Sequence, residues 1–264
     1  MLSPAGKPKV TVVIPSTGRP EVVRAIESAM SQTIAPSTVL LLFDGETARL
    51  KSGIDSHHFP TGTALVVVPL PRVGRPGPIR NVGLALAATP LVAFLDDDDW
   101  WDPHKIESQL PYFEDRNVVA VGSNALVHGG RGGAYFDTVK PQVTFNDLLL
   151  GNGLITSSMI CRIDAMRLIG GFPDSDGLRG IEDYAAWLRL AALGNISIDD
   201  RLLTHYSAPS NTSLSTEIGH LSGPSAVIRS ATDTLAWLQA LQSVPKITSK
   251  RRALARRILE LKRN

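Results

Sequence analysis

Apolar residues in this chain come in short unbroken runs rather than in strict alternation. Val10-Thr11-Val12-Val13-Ile14, Thr38-Val39-Leu40-Leu41-Leu42-Phe43, Ala64-Leu65-Val66-Val67-Val68, Leu91-Val92-Ala93-Phe94-Leu95 and Val118-Val119-Ala120-Val121 each read as a strand. Between them the period lengthens. After Pro20, the residues Val22, Val23, Ile26, Ala29 and Met30 follow helical spacing. Ile79, Val82 and Leu86 mark one stripe of a helix from Pro78 to Ala88, and Pro103 opens another helix. Unbroken apolar strands separated by helices predict an α/β fold, with a mostly parallel central sheet covered on both faces. The later chain is more mixed. Residues 144–150 and 181–193 read as helices, 154–160 as a strand, and 225–243 and 246–263 as terminal helices. Gly129 to Gly133 reads as a flexible loop.

In a sheet of this kind, ligands sit beyond the carboxyl ends of the strands. Polar residues end three of the runs: Ser16-Thr17, Asp44-Gly45 and Asp96-Asp97-Asp98-Asp99. These ends are expected to converge on one crevice. The acidic run has two readings. Acidic residues favour a helix start, and Pro103 fits one, but that accounts for Asp99 or Asp102 rather than four carboxylates. A divalent cation accounts for more of them, because Mg2+ and Mn2+ take oxygen ligands, commonly one or two carboxylates together with substrate phosphates.

Several other chemistries lack their motifs. There is no G-x-x-x-x-G-K-[ST] loop for a phosphate-loop nucleotidase and no G-x-G-x-x-G after the first strand. No H-E-x-x-H or cysteine pair supports zinc, since Cys161 is the single cysteine. That lone cysteine also rules out an internal disulfide and fits a reducing compartment. The first residues lack a signal-peptide layout, and no apolar run approaches the ~18 residues of a spanning helix. The expectation is a soluble, cytoplasmic protein. Charge is uneven. Residues 246–264 hold eight Lys/Arg and one Glu, a local +7 within a net charge of +2, so the preceding 245 residues carry −5. The basic character belongs to the tail, which argues against nucleic acid as a partner of the main body.

Taken in order, the motifs resemble glycosyltransferase family two. They are Val12-Val13-Ile14-Pro15-Ser16-Thr17-Gly18-Arg19-Pro20, Leu42-Phe43-Asp44-Gly45, Arg80-Asn81-Val82-Gly83-Leu84, Phe94 through Trp100, Gly170-Gly171-Phe172 and Glu182-Asp183-Tyr184-Ala185-Ala186-Trp187-Leu188. The likeness covers roughly residues 9–215. It implies a GT-A fold, Rossmann-like, and inverting, metal-dependent transfer of a sugar from a nucleoside diphosphate sugar, with UDP favoured. It divides the chain into residues 1–215, with a nucleotide-sugar half to about 123 and an acceptor half from 124, and a basic helical extension over 216–264.

The resemblance also implies roles. Asp98 is the expected metal ligand for Mn2+ or Mg2+, with Asp96 and Asp97 facing the ribose or the metal's waters. Asp44 matches the aspartate that accepts from the donor base, and Phe43 stands where many relatives carry a second acid. Pro15, Ser16 and Thr17 match the loop over the base, and Arg19 is grouped with the donor residues. Thr17-Gly18 replaces a Tyr-Asn pair common in relatives, so an aromatic stacking surface is missing. Arg80 matches a basic residue near the diphosphate, where a guanidinium can grip two oxygens. Asp183 of the Glu182-Asp183 pair matches the catalytic base. Asp174 and Asp176 are nearby rivals. His205 is a candidate third metal ligand or phosphate contact. Trp100 and Trp101 are candidates for lining an acceptor site, at least one of them being expected in the core.

The tail carries Ile247, Leu254, Ile258 and Leu261 on one helical stripe among basic residues. It reads as a helix docked on the domain or on a homodimer partner, or as peripheral contact with an anionic membrane near a lipid-linked acceptor. A glycan or small molecule is equally open as acceptor. Two other functions compete. Nucleotidyl transfer to a sugar phosphate would want a Gly-rich first loop that Pro15 to Pro20 does not supply. A silent nucleotide- or glycan-binding module would be expected to lose either the acidic run or Glu182-Asp183, and both are present.

Overall fold

The computed structural model describes residues 10–45, 54, 57–129, 132–207 and 224–242, without the side chains of 224, 241 and 242. The domain boundary near 215 and the helix expected over 246–263 lie outside them. Among the described residues a ten-stranded sheet forms the centre. Its first part is parallel and follows the apolar runs. β1 (Val10–Ser16) pairs with β2 (Thr38–Asp44) on one side and β4 (Leu91–Phe94) on the other, and β2 pairs with β3 (Ala64–Leu70) at the edge. The second part hangs on an antiparallel bridge. β9 (Ile160–Arg162) joins β4 to β6 (Val118–His128), and β6 runs parallel to β10 (Asn195–Ser207). Short β5 (Trp100–Trp101), β7 (Gly133–Ala134) and β8 (Gln142–Val143) add antiparallel rungs.

Each central strand is buried on both faces, and its residues divide between two cores. Val12 and Ile14 pack with α1 (Val22–Met30), while Val13, Leu42 and Phe94 pack with α2 (Pro76–Leu86) and α6 (Glu182–Ala191). This is why the runs are unbroken rather than alternating. Pro15 is tolerated because pairing of β1 with β4 stops at Val13 opposite Phe94, so its missing N–H breaks no rung there. Short α3 (Lys105–Gln109), α4 (Phe145–Leu148) and α5 (Ile163–Leu168) fill connections, and α7 (Pro224–Gln242) lies against α6. There Arg189 bonds Asp233 at 2.7 Å.

One segment differs from expectation. The strand expected over 154–160 is a turn at Thr156–Ser158 followed by β9. Side chains have taken the carbonyls that a ladder would need. Trp101 Nε1 donates to the Ser157 carbonyl and Gln109 Nε2 to that of Ser158. β10 runs thirteen residues through the charged Asp199-Asp200-Arg201. Asp199 is fully buried and accepts two bonds from the Arg201 guanidinium, and the register with β6 shifts there instead of ending.

Close helix-to-strand packing gives one stability prediction. A Cβ on Gly83 would lie 2.5 Å from a Val13 methyl and 3.2 Å from Leu42 Cδ1. Gly to Ala in a helix ordinarily gains up to ~1 kcal/mol. Here overpacking wins, and Gly83→Ala is expected to lose about 1–3 kcal/mol in urea unfolding.

A second prediction concerns Lys105. It is fully buried, with its ammonium bonded to Gln109 and 4.5 Å from the Trp101 ring centre. Burial pushes its pKa down to about 7, against the fields of Cys161 and Asp199. The unfolded chain therefore binds more protons between about pH 7 and the ordinary lysine pKa, so stability rises with pH through that window. Lys105→Met should raise Tm at pH 7 and flatten the rise between pH 7 and 9. An unchanged pH slope would place the titration elsewhere.

Candidate active site

The carboxyl ends of β1, β2 and β4 lie side by side as the apolar runs imply, and side chains lock the end of β1 to the acidic run after β4. Ser16 at the end of β1 donates to Asp97 Oδ2 at 2.7 Å and accepts the Gly18 N–H at 2.9 Å. Arg19 bonds Asp98 Oδ2 at 2.6 Å and lies 3.8 Å from Asp97. Arg80, on α2, reaches across to Asp96 and stands 5.4 Å from the Phe172 ring centre. Asn81 beside it clamps Phe172, accepting its N–H and donating to its carbonyl at 2.8 Å each. Thus the Arg80-Asn81 pair fixes the Gly170-Gly171-Phe172 turn under the guanidinium.

The four aspartates are not equivalent. Asp96 and Asp98 are part-open, with side chains 32% and 38% exposed, while Asp97 and Asp99 are buried. Burial raises Asp97 to about 6 despite Ser16 and Arg19. Burial and the charge of Asp96 push Asp99 well up; its Oδ1 accepts the Ser207 N–H, and its Oδ2 finds no partner among the described residues. Asp98 is also raised, by burial and Asp96 against the pull of Arg19. Like charges are tolerated here because burial partly neutralises the inward pair. No helix begins on the run. α3 starts at Lys105, and the carboxylate that serves its start is Asp102, which accepts the His104 N–H at 2.8 Å.

Across the crevice, α6 begins with Glu182 and Asp183. Asp183 Oδ2 accepts from Thr156 at 2.9 Å and Oδ1 from the Tyr184 N–H at 2.6 Å. The helix end favours its ionised form, but burial and Glu182 outweigh that, Arg80 and the two bonds, raising it to about 6. Glu182 is buried, accepts the Gly180 N–H at 2.6 Å and packs on Gly77 of α2, where a Cβ would lie 2.7 Å away. Arg80 links the two sides. Burial works against its charge, but Asp96, Glu182 and Asp183 more than offset this and hold it protonated. The rivals Asp174, in a loop, and Asp176, at the start of a short 3-10 turn, are paired with Arg75, and Asp176 is fully exposed.

Other expected site residues are placed differently. Both Asp44 oxygens accept loop N–H groups, from Val73 and from Gly74 at 2.7 Å, so this carboxylate builds the loop after β3. Of Pro15, Ser16 and Thr17, only Thr17 is exposed. Trp101 is corrected as an acceptor residue. It is 3% exposed, and its ring is covered by Lys105 and tied to Ser157, leaving no face for a sugar. Trp100 is half-buried, with the Arg24 guanidinium 3.5 Å from its ring centre on one contact and His205 stacked on another. His205 Nδ1 lies 2.9 Å from His128 Nε2, and its pKa is lowered by burial and His128. Among the described residues no three His, Cys, Asp or Glu side chains form a cation cage. Sequence reading missed Thr156, Ser207 and Arg24. The polar trio Thr156-Ser157-Ser158 inside an apolar stretch was the available signal for the first.

Open α/β sheets bind ligands beyond the carboxyl ends of their strands, and the carboxylates of the acidic run gather at that edge. The fold is GT-A. It is similar to S. aureus TarS 1–349 in complex with UDP-GlcNAc, at TM-score 0.70 and 17% identity over 95% of this chain and 71% of that one. It is also similar to the mannosyltransferase PcManGT from Pyrobaculum calidifontis in complex with GDP-Man and Mn2+, at TM-score 0.59 and 16% identity over 97% and 70%. The family model described as glycosyl transferase family 2 matches residues 11–168, more than half of the chain, and the chain belongs to that family. Among curated relatives, it is 28% identical to the Escherichia coli UDP-Glc:alpha-D-GlcNAc-diphosphoundecaprenol beta-1,3-glucosyltransferase WfaP over 48% of this chain and 49% of that protein. It is 25% identical to the putative teichuronic acid biosynthesis glycosyltransferase TuaG of Bacillus subtilis over 71% and 74%. The chain spans 30%, 49% and 32% of the first three curated relatives it matches. No helix among the described residues is long and apolar enough to cross a membrane.

Proposed function

We propose that this chain is an inverting glycosyltransferase that moves a sugar from a nucleoside diphosphate sugar, with UDP as the nucleotide, to an acceptor hydroxyl. The observation that carries the reading is the pairing of two carboxylate groups across one buried arginine. Arg80 bonds Asp96 on one side and lies in the field of Asp183 on the other. That arrangement suits a donor diphosphate held at the acidic run and a base facing it. The UDP-sugar named for WfaP and the UDP-GlcNAc of the TarS complex support the choice of nucleotide.

In this reading Asp183 takes the proton of the acceptor hydroxyl as its oxygen attacks the anomeric carbon. The bond from that carbon to the diphosphate breaks, and its electron pair leaves on the diphosphate. Thr156 and the Tyr184 N–H keep the Asp183 carboxylate aimed while it collects the proton. Arg19, 45% exposed on its side chain, is positioned to turn from Asp98 to a phosphate. Asp96 and Asp98 fit a Mn2+ or Mg2+ ion. They are hard oxygen donors with part-open carboxylates, and two such ligands suffice when phosphates and water complete the shell. Such an ion supplies stabilisation of the charge developing on the leaving diphosphate. His205 is not required in that set, since two carboxylates, the donor phosphates and water already complete the shell.

Calorimetric titration of UDP, GDP and dTDP, each with and without Mn2+, tests the reading. The expected result is Mn2+-dependent binding of UDP. Preference for GDP would move the donor class, and no binding of any nucleotide under either condition would sink the proposal.

A further inference from the structure

We propose that Tyr135 and Tyr206 form a wall on which a pyranoside acceptor stacks, between Asp183 and the acidic run. This inference rests on the donor and base assignments above and adds the substrate class on the acceptor side. Tyr135 is 39% exposed, and its ring meets two others edge-on: Phe136 at 4.9 Å and 90°, and Tyr206 at 5.9 Å and 84°.

The backbone that presents Tyr135 is fixed. Its N–H donates to the Ala125 carbonyl at 2.8 Å. Buried Asn124 clamps the next residue, accepting the Phe136 N–H at 3.0 Å and donating to the Phe136 carbonyl at 3.1 Å. The hairpin therefore offers a ring from a held strand end, which a recognition surface needs.

Its location follows from its neighbours. Ser207, next to Tyr206, bonds Asp99 Oδ1 through its N–H at 2.7 Å and the Asp98 carbonyl through its hydroxyl at 2.6 Å. Phe136, next to Tyr135, lies against Gly153, on the segment whose Thr156 bonds Asp183. The charges that each phenol meets agree. Tyr135 is raised by burial and by the nearby charge of Asp183. Tyr206 is raised by burial, by Asp99, by Tyr135 itself and by Asp96 and Asp98. The pair thus spans the gap from the base to the acidic run. Both phenols stay protonated and able to donate a hydrogen bond. A pyranose has an apolar C–H face and a rim of hydroxyls, which matches an aromatic face with a polar tip. An alkyl chain would meet carboxylates it cannot solvate. An anionic acceptor would meet Asp183 and Glu182. The aromatic residues expected to serve the acceptor, Trp100 and Trp101, are stacked under Arg24 and His205 or buried, so this wall is separate from them.

Saturation-transfer NMR tests the proposal with methyl β-D-glucopyranoside and methyl 2-acetamido-2-deoxy-β-D-glucopyranoside as probes and ribitol as control. Wild type, Tyr135→Phe, Tyr135→Ala and Tyr206→Ala are compared, each with and without UDP and Mg2+. Ring protons of at least one pyranoside are expected to receive saturation in wild type and Tyr135→Phe. The signal should fall about two- to tenfold in both Ala variants, the range of one lost aromatic contact. Ribitol should give none. An unchanged signal in Tyr135→Ala, equal transfer to ribitol, or no pyranoside signal in wild type under either condition would overturn it. UDP calorimetry on the same samples separates the two readings. Intact UDP binding with no Tyr135 effect counts against the wall alone. Absent UDP binding counts against the donor assignment, while the comparison of the Tyr135 variants still decides the wall.

Discussion

Asp183→Asn is expected to lower turnover roughly 10²- to 10⁴-fold, the usual contribution of a positioned general base, while leaving nucleotide binding nearly unchanged. The substitution is close to isosteric. The amide oxygen can still accept the Tyr184 N–H, and the amide NH2 can donate to the Thr156 hydroxyl, which accepts as readily as it donates. The fold at the start of α6 should therefore survive, and what is lost is the capacity to take a proton. The wild type carries its own signature. With Asp183 raised to about 6 by burial and Glu182, the base is ionised at pH 7 and progressively protonated below its pKa. Turnover should fall about tenfold per pH unit on that acid limb. The limb should vanish in Asp183→Asn. Steady-state rates from pH 4.5 to 8 check both statements. A variant with near-normal turnover would remove Asp183 from the chemistry and leave it as a helix-terminal charge.

The second large effect is expected at Asp98. In Asp98→Ala the gain in UDP affinity given by Mn2+ should shrink at least about tenfold, or 1.4 kcal/mol. The metal-free affinity should move the other way or hold, because the substitution removes a negative group from beside a diphosphate and releases Arg19 from its 2.6 Å pairing. That opposite sign separates a lost ligand from a damaged pocket, which would weaken both. Calorimetry of both proteins with and without Mn2+ reads the difference. Equal Mn2+ dependence in the two would take the metal away from Asp98.

The site was legible in the sequence to differing depths. Asp96 to Asp99 stood out because a carboxylate run after an apolar strand has few structural uses. Asp183 and Arg80 emerged from the ordered motif set, since E-D or R-N alone is weak. Trp101 could not be separated from Trp100 by sequence. Adjacent residues on a strand face opposite sides, and which side is the core depends on β10, one hundred residues later, whose Thr204 pairs with Trp101. Thr156 escaped because an apolar stretch with hydroxyls fits a strand, and only the side chains of Trp101 and Gln109 make it a turn. Tyr135 escaped for a similar reason, lying beside a glycine-rich segment that has no signal of its own.

By itself, the sequence determined the parallel first part of the sheet, the helices packed on it and the crevice at its strand ends. Those properties depend on local apolar period and on the polarity of strand ends, which neighbouring residues set. The tertiary structure decided which carboxylates are buried and raised in pKa, which stay part-open, and which aromatic rings are covered. Burial and field are sums over residues far apart in the chain, such as Ser16 on Asp97 or Ser207 on Asp99, and no local pattern carries them.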